Sequence, residues 1–360
     1  MSILKLRNHI PISGPARREP ADGTESALRV SLGFEPAWYH ARCSVDFSEG
    51  WHTDPVYRHE TLVCMKAELQ RAFPTATCWN FTRQEDTWTI SGVYGSYFVP
   101  VVFGCELAYG QDRWPAIGRR SPLSLEELAK RDKEALLAAP IIADLFRQMD
   151  IIEAQAGKIH GYLSWQGILN NAFNIHGQDI LVELVDQPEW VHRFFTLICD
   201  VMISLARHVQ ARQRRSGFDI NQLDVSNCVM NMISPRAYHE FVLPYDKRIA
   251  ESFARFGVHT CNWNVTPYVK ELAQLPKVGY LDMGMLSDMK LVRETFPQAR
   301  RAVMYSPVKL QDASIDEIEN DMRRIHAELA PCDLVMADIQ ATTPDSRVNE
   351  LLEVCRKLQV

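Results

Sequence analysis

The stretch GVHTCNWNVTPY, residues 257 to 268, places His259 and Cys261 two positions apart at the end of a short apolar run. An imidazole nitrogen and a thiolate are both donors that a zinc ion accepts. Side chains at i and i+2 of a strand share a face, so a strand ending here presents both residues to one side, where they can serve one ion. The competing reading is a pair of ordinary core residues, because cysteine is among the most buried residue types without any function. The polar NWNVTPY that follows reads as the loop after a strand terminus.

A catalytic zinc needs a third protein donor and an open position. The nine cysteines stand at 43, 64, 78, 105, 199, 228, 261, 332 and 355, an odd number with no C-x-x-C. That pattern excludes a disulfide framework and a closed four-cysteine module, and fits reduced, mostly buried thiols. Cys332 precedes DLVMAD and so starts its strand; six residues at ~3.3 Å each put it roughly 20 Å from the far end. Asp338 stands at that far end, and Asp282 ends the strand after His259-x-Cys261. One or both carboxylates are expected to complete the site, giving one sulfur, one nitrogen and one or two oxygens.

The elements that must hold these residues alternate. Apolar runs at 97–103, 158–163, 222–227, 256–261, 278–284, 301–306 and 333–338 read as strands. Between them lie stretches with helical period, one opening on the capping box Ser124 to Glu127 and another broken into two helices at Pro188. Strand and helix in turn imply parallel strands with crossover helices. No G-x-G-x-x-G or P-loop favours an open nucleotide-binding sheet. The expected fold is α/β, a (β/α)8 TIM barrel over residues 71–360, with residues 1–70 as an N-terminal helical extension forming a lid-like segment.

In such a barrel chemistry sits at the carboxyl ends of the strands. Besides the metal candidates His259, Cys261 and Asp338, this nominates Asp282, Tyr305 and Asp224 as catalytic. Trp51 and His52, in the polar and aromatic segment FSEGWHTDPVYR, are expected to line the pocket, as are Tyr162 and Trp165 in the GYLSW that ends the 158–163 strand and Asn264 in the loop after Cys261. Within the same segment Asp54 and Pro55 read as a helix N-cap and first helical residue.

The segment 233–268 resembles the uroporphyrinogen decarboxylase superfamily, and within it the corrinoid-dependent methylcobamide:thiol methyltransferases. Ser234, Pro235, Tyr238, Phe241, Pro244 and Tyr245 match the helix that leads into the H-x-C strand, and His259 and Cys261 match its zinc ligands. The resemblance extends from about Trp38 to Lys357 and implies a TIM barrel, a zinc site and a corrinoid co-substrate. Two departures stand out. The second cysteine of that branch is replaced at Ala337-Asp338, although Thr343-Pro344 are retained, and the glycine after H-x-C has become Asn262-Trp263. The arginine-bearing decarboxylase signature survives only as Pro36, Trp38 and Arg42, of which Trp38 and Arg42 are retained as substrate-binding candidates.

Composition sets the remaining bounds. The 360 residues are 46% hydrophobic and 23% charged, with 39 basic against 45 acidic side chains spread along the chain. There is no basic stripe for nucleic acid, and no apolar run of membrane-spanning length is expected. The expected protein is a cytoplasmic enzyme moving a methyl group between a corrinoid, free or on a carrier protein, and a thiol or other small acceptor. The alternatives are a decarboxylase or lyase of the same superfamily and a metal-free binding protein.

Overall fold

The computed structural model describes residues 27–74, 87–220 and 222–358. Its strands are β1 (Leu28–Phe34), β2 (Glu106–Gly110), β3 (Arg113–Arg119), β4 (Gln222–Ser226), β5 (Arg255–His259), β6 (Val278–Gly284), β7 (Arg300–Met304) and β8 (Cys332–Ile339). Six of them form one parallel sheet in the order β1-β8-β7-β6-β5-β4, while β2 and β3 make a separate antiparallel hairpin. The sheet continues beyond β4 through single parallel bridges, Gln166 to Ser226 and His160 to Thr89. Eight extended segments thus follow one another in barrel order, two of them reduced to bridges. Gly161, at φ +102, interrupts the first of the two segments beyond β4, as an interior glycine weakens a strand. Among the described residues no ladder joins the 89–90 segment to β1, and Arg58 donates to the Thr89 carbonyl there instead (3.0 Å).

Two expectations are corrected. Residues 28–34 are not an appendage: Leu28 pairs with Cys332 and the register runs to Phe34 with Ile339, so β1 is a barrel strand. Of the rest of the expected extension, residues 36–70 are largely helical, in Pro36–Cys43, Glu49–Thr53 and most of Pro55–Ala72, and residues 1–26 lie outside the described residues. The run at 97–103 is a helix, Phe98–Val102. Pro100 has no N–H for a central ladder but fits a first helical turn, where that N–H has no partner in any case. The expected strand at 158–163 is reduced to the bridge at His160, and the one at 256–261 ends at His259, while the helical readings hold. The Ser124 capping box forms, Asp54 caps Pro55–Ala72, and the long periodic stretch divides into Ile180–Asp186 and Pro188–Arg215. This last helix is long and apolar enough to cross a membrane by composition, yet most of its apolar window is buried in the fold.

Alternation sorts the strand residues. One set, including Leu223, Val225, Leu281 and Leu334, joins the large core between sheet and helices. The other faces the barrel interior, where Tyr280, Ala302, Met304 and Val335 form a small cluster of their own. The amino-terminal end is closed by charge: Asp333 bridges the guanidiniums of Arg29 (2.9 Å) and Arg300 (2.8 Å). Cys332 lies at this end, as its place in the sequence requires. The carboxyl ends of β4 to β6 carry the polar side chains that follow.

Candidate metal centre

Ser226 and His259 are register partners at the ends of β4 and β5. Two residues beyond each stands a cysteine, Cys228 and Cys261, and their sulfurs lie 3.2 Å apart. One donor atom from each of Cys228, His259 and Cys261 lies within 4.8 Å of the others, with the imidazole buried and the two thiols half-buried. β5 stops at His259, so strand alternation does not bring Cys261 round. Cys261 adopts φ +63, a left-handed conformation that non-glycine residues rarely take and that recurs at functional sites. The turn is pinned to β6: Gly284 N–H donates to the Trp263 carbonyl (2.8 Å). A Cβ on Gly284 would lie 2.4 Å from the Asn262 backbone, so this approach requires glycine.

His259 is oriented from behind. Its Nδ1 lies 2.7 Å from Asp282 Oδ2, which leaves Nε2 as the nitrogen available to an ion. Asp282 is wholly buried and accepts from Thr260 N–H (2.7 Å) and Tyr280 O–H (2.9 Å) as well. Burial disfavours the imidazolium, but the charges of Asp282 and Cys261 outweigh it and hold His259 up at about 9. The hydrogen bond from Cys228 and then burial push the Cys261 thiol up. Two soft thiols and one imidazole supported by a carboxylate are a donor set suited to zinc.

The group of donors that the structure brings together therefore differs from the expected ligand set. Asp338 is exposed on the far side of the mouth, where it hydrogen-bonds to Glu35; it is no part of the Cys228, His259 and Cys261 group. Burial, with the charge and hydrogen bond of Asp338, raises Glu35 to about 8. The second thiol of the group comes from the turn just after β4. Its signal was in the sequence, since Cys228 follows the end of β4 by the same two residues that separate Cys261 from the end of β5.

Other nominated residues separate by environment. Asp282 belongs to the site, as the support of His259. Tyr305 donates to Asp321 in the helix Ile315–Leu329 (2.8 Å), so its hydroxyl faces the helical layer. Asp224 sits lower in β4, accepting from Gln222 and packed against Gly257. Trp51 and His52 are fully buried; Trp51 donates to Thr61 (3.1 Å) and His52 Nδ1 accepts from Tyr94 N–H (3.0 Å). Trp38 packs against Phe34 in a tilted contact and is stacked with Phe73. Arg42 lies over Trp38 and makes a two-pronged pair with Asp345 (2.7 and 2.8 Å). Trp165 packs against Phe98, and Tyr162 against Phe218. Asn264 is exposed and accepts from Thr266 N–H (3.1 Å), a local turn. Met232 and Trp263, absent from the expected lining, are exposed apolar side chains in the segments that carry Cys228 and Cys261.

The fold is shared with a solved methyltransferase from Methanosarcina mazei, which aligns with a TM-score of 0.64 at 15% identity over 96% of each chain. A comparison with curated protein sequences finds no match. Residues 93–358 match the family described as Uroporphyrinogen decarboxylase (URO-D). With most of its length matched, from before the hairpin through the Cys228, His259 and Cys261 segments to the last helix, the chain belongs to the uroporphyrinogen decarboxylase family.

Proposed function

We propose that this protein is a zinc-dependent methyltransferase that moves a methyl group between a corrinoid carrier and a thiol or another small acceptor. The observation that carries the reading is the convergence of Cys228, His259 and Cys261 at the carboxyl ends of adjacent barrel strands. The likeness of 233–268 to the corrinoid branch and the fold shared with the Methanosarcina mazei methyltransferase support it.

Zinc held by these three residues would keep an acceptor thiol, ordinarily protonated near neutral pH, in its nucleophilic thiolate form. The chain's own part is to bind, orient and exclude water. Asp282 holds the imidazole by Nδ1 so that Nε2 is presented to the metal. The left-handed turn at Cys261 aims its sulfur back toward His259 and Cys228. Trp263 and Met232 supply apolar surface beside the site for a methyl group or a flat macrocycle.

Decarboxylation of a polycarboxylated porphyrinogen is less well supported. Arg42, the remnant of the arginine signature, is engaged by Asp345 and Glu68.

Metal analysis and X-ray absorption test the proposal. Purified protein is expected to hold near-stoichiometric zinc with two Zn–S distances near ~2.3 Å before any thiol is added, and three afterwards. Methylcobalamin should be demethylated in the presence of a suitable thiol. Absence of metal, or robust turnover of uroporphyrinogen without methyl transfer, would overturn it.

A further inference from the structure

We propose that Asp246 is a positioning residue for the metal centre, acting through Asn227 to set Cys228 beside Cys261. The inference rests on the metal reading above and concerns residues outside the ligand set. Asp246 is fully buried in the helix Leu243–Ser252. Its Oδ2 accepts from Asn227 Nδ2 (2.8 Å) and from the Tyr238 hydroxyl (2.7 Å), both neutral donors. Its Oδ1 makes no hydrogen bond. A carboxylate buried on such terms is costly, and packing alone would be served by a leucine.

Asn227 is what the carboxylate secures. Its backbone N–H donates to the His259 carbonyl (2.8 Å), its side-chain amide is held by Asp246, and its Oδ1 lies where a Cβ on Gly167 would come within 1.7 Å. The next residue is Cys228. On the other side Val229 N–H donates to Asn170 Oδ1 (2.9 Å). The thiol is therefore carried between two gripped neighbours, and one grip ends on Asp246.

The helix is shaped to deliver that grip. In a regular α-helix residues eight apart are rotated by about 80°, which would swing Tyr238 away from Asp246. The turn Tyr238–Val242 is instead π-helical. A π-turn absorbs one residue, so the pair becomes equivalent to a spacing of seven, about 20° apart, and both side chains reach one face. Pro244 supplies a local reason, since it has no N–H for a regular ladder.

Cobalt substitution reads the number of thiolates directly, through sulfur-to-cobalt charge-transfer absorption. Wild type is expected to give a two-thiolate spectrum and Cys228→Ser a one-thiolate spectrum. Asp246→Leu should fall to the Cys228→Ser level with about 10- to 100-fold weaker metal binding, whereas Asp246→Asn, which keeps an acceptor, should recover most of the second thiolate signal. Asn227→Ala, which cuts the same link without placing an apolar group in the helix, should also lose one thiolate. Because the effect runs through Cys228, the Asp246→Leu/Cys228→Ser double variant should bind no more weakly than Cys228→Ser. A lower unfolding midpoint with two thiolates retained in Asn227→Ala, or in Asp246→Leu, would overturn the proposal, leaving Asp246 a structural group. Wild-type protein that binds no cobalt would instead remove the metal reading itself.

Discussion

Asp282 Oδ2 lies 2.7 Å from His259 Nδ1, and the same carboxylate takes the Thr260 backbone N–H and the Tyr280 hydroxyl. A residue expected to bind metal or act on substrate therefore aims the imidazole that is the proposed metal ligand. Carboxylates placed behind a histidine ligand fix its tautomer and raise its basicity. Asp282→Asn is expected to weaken zinc binding about 10- to 100-fold, measured by competition with a chelator. An unchanged affinity would mean that the imidazole orients itself.

The ligand set separates three variants. Cys228→Ser should lower metal affinity and remove one Zn–S distance, while Asp338→Ala and Cys332→Ser should keep full metal content. Asp338 stands across the mouth with Glu35, and Cys332 is buried at the opposite end of the barrel. Metal loss in Asp338→Ala would return the carboxylate to the site.

Glu35 carries a pH dependence. Burial and then the Asp338 charge raise it to about 8 from an ordinary carboxyl value. Between that value and about 8 the folded state binds more protons than the unfolded state, so this group's contribution to stability falls as pH rises. Glu35→Gln should flatten the decline of the unfolding midpoint between about pH 5 and 8. An equal decline in both proteins would show that Glu35 is not the group responsible.

Trp263 is 46% exposed, with only its carbonyl tied to β6 and Ser287. Trp263→Gly should change folding stability by no more than about 0.5 kcal/mol yet raise the KM for the methyl donor or acceptor. Unaltered kinetics would place the indole outside the substrate path.

Asp333 is the centre of the charged floor, between Arg29 and Arg300. Removing one partner from a buried ionic group costs about 3–5 kcal/mol, so Asp333→Ala should lower the denaturation midpoint sharply while metal affinity in the folded fraction stays unchanged. Because Asp333 is at the amino-terminal end of β8, loss of metal binding in folded protein would be unexpected.

Much of this protein was determined locally and so is legible in the sequence. Strand-and-helix alternation implies the parallel barrel, because each apolar run must be buried on both faces. His259 at a strand end, Cys332 at a strand start, the Ser124 and Asp54 caps and the break at Pro188 depend only on neighbours within a few residues. What the tertiary structure decided are relationships between residues distant in the chain. β1 joins the sheet only because β8 is beside it, some 300 residues later. Cys228 reaches Cys261 because β4 and β5 pair in one register, and because a left-handed turn, permitted by Gly284 on β6, turns the second sulfur back. Trp51, His52 and Trp38 look like pocket residues by type, yet aromatic bodies gain more from burial, and packing between elements drew them into the core. Asp338 stands at the correct end of its strand but at the wrong point on the circumference. Alternation gives a side chain's end and face; only the order of the strands in the sheet says which residue stands beside it.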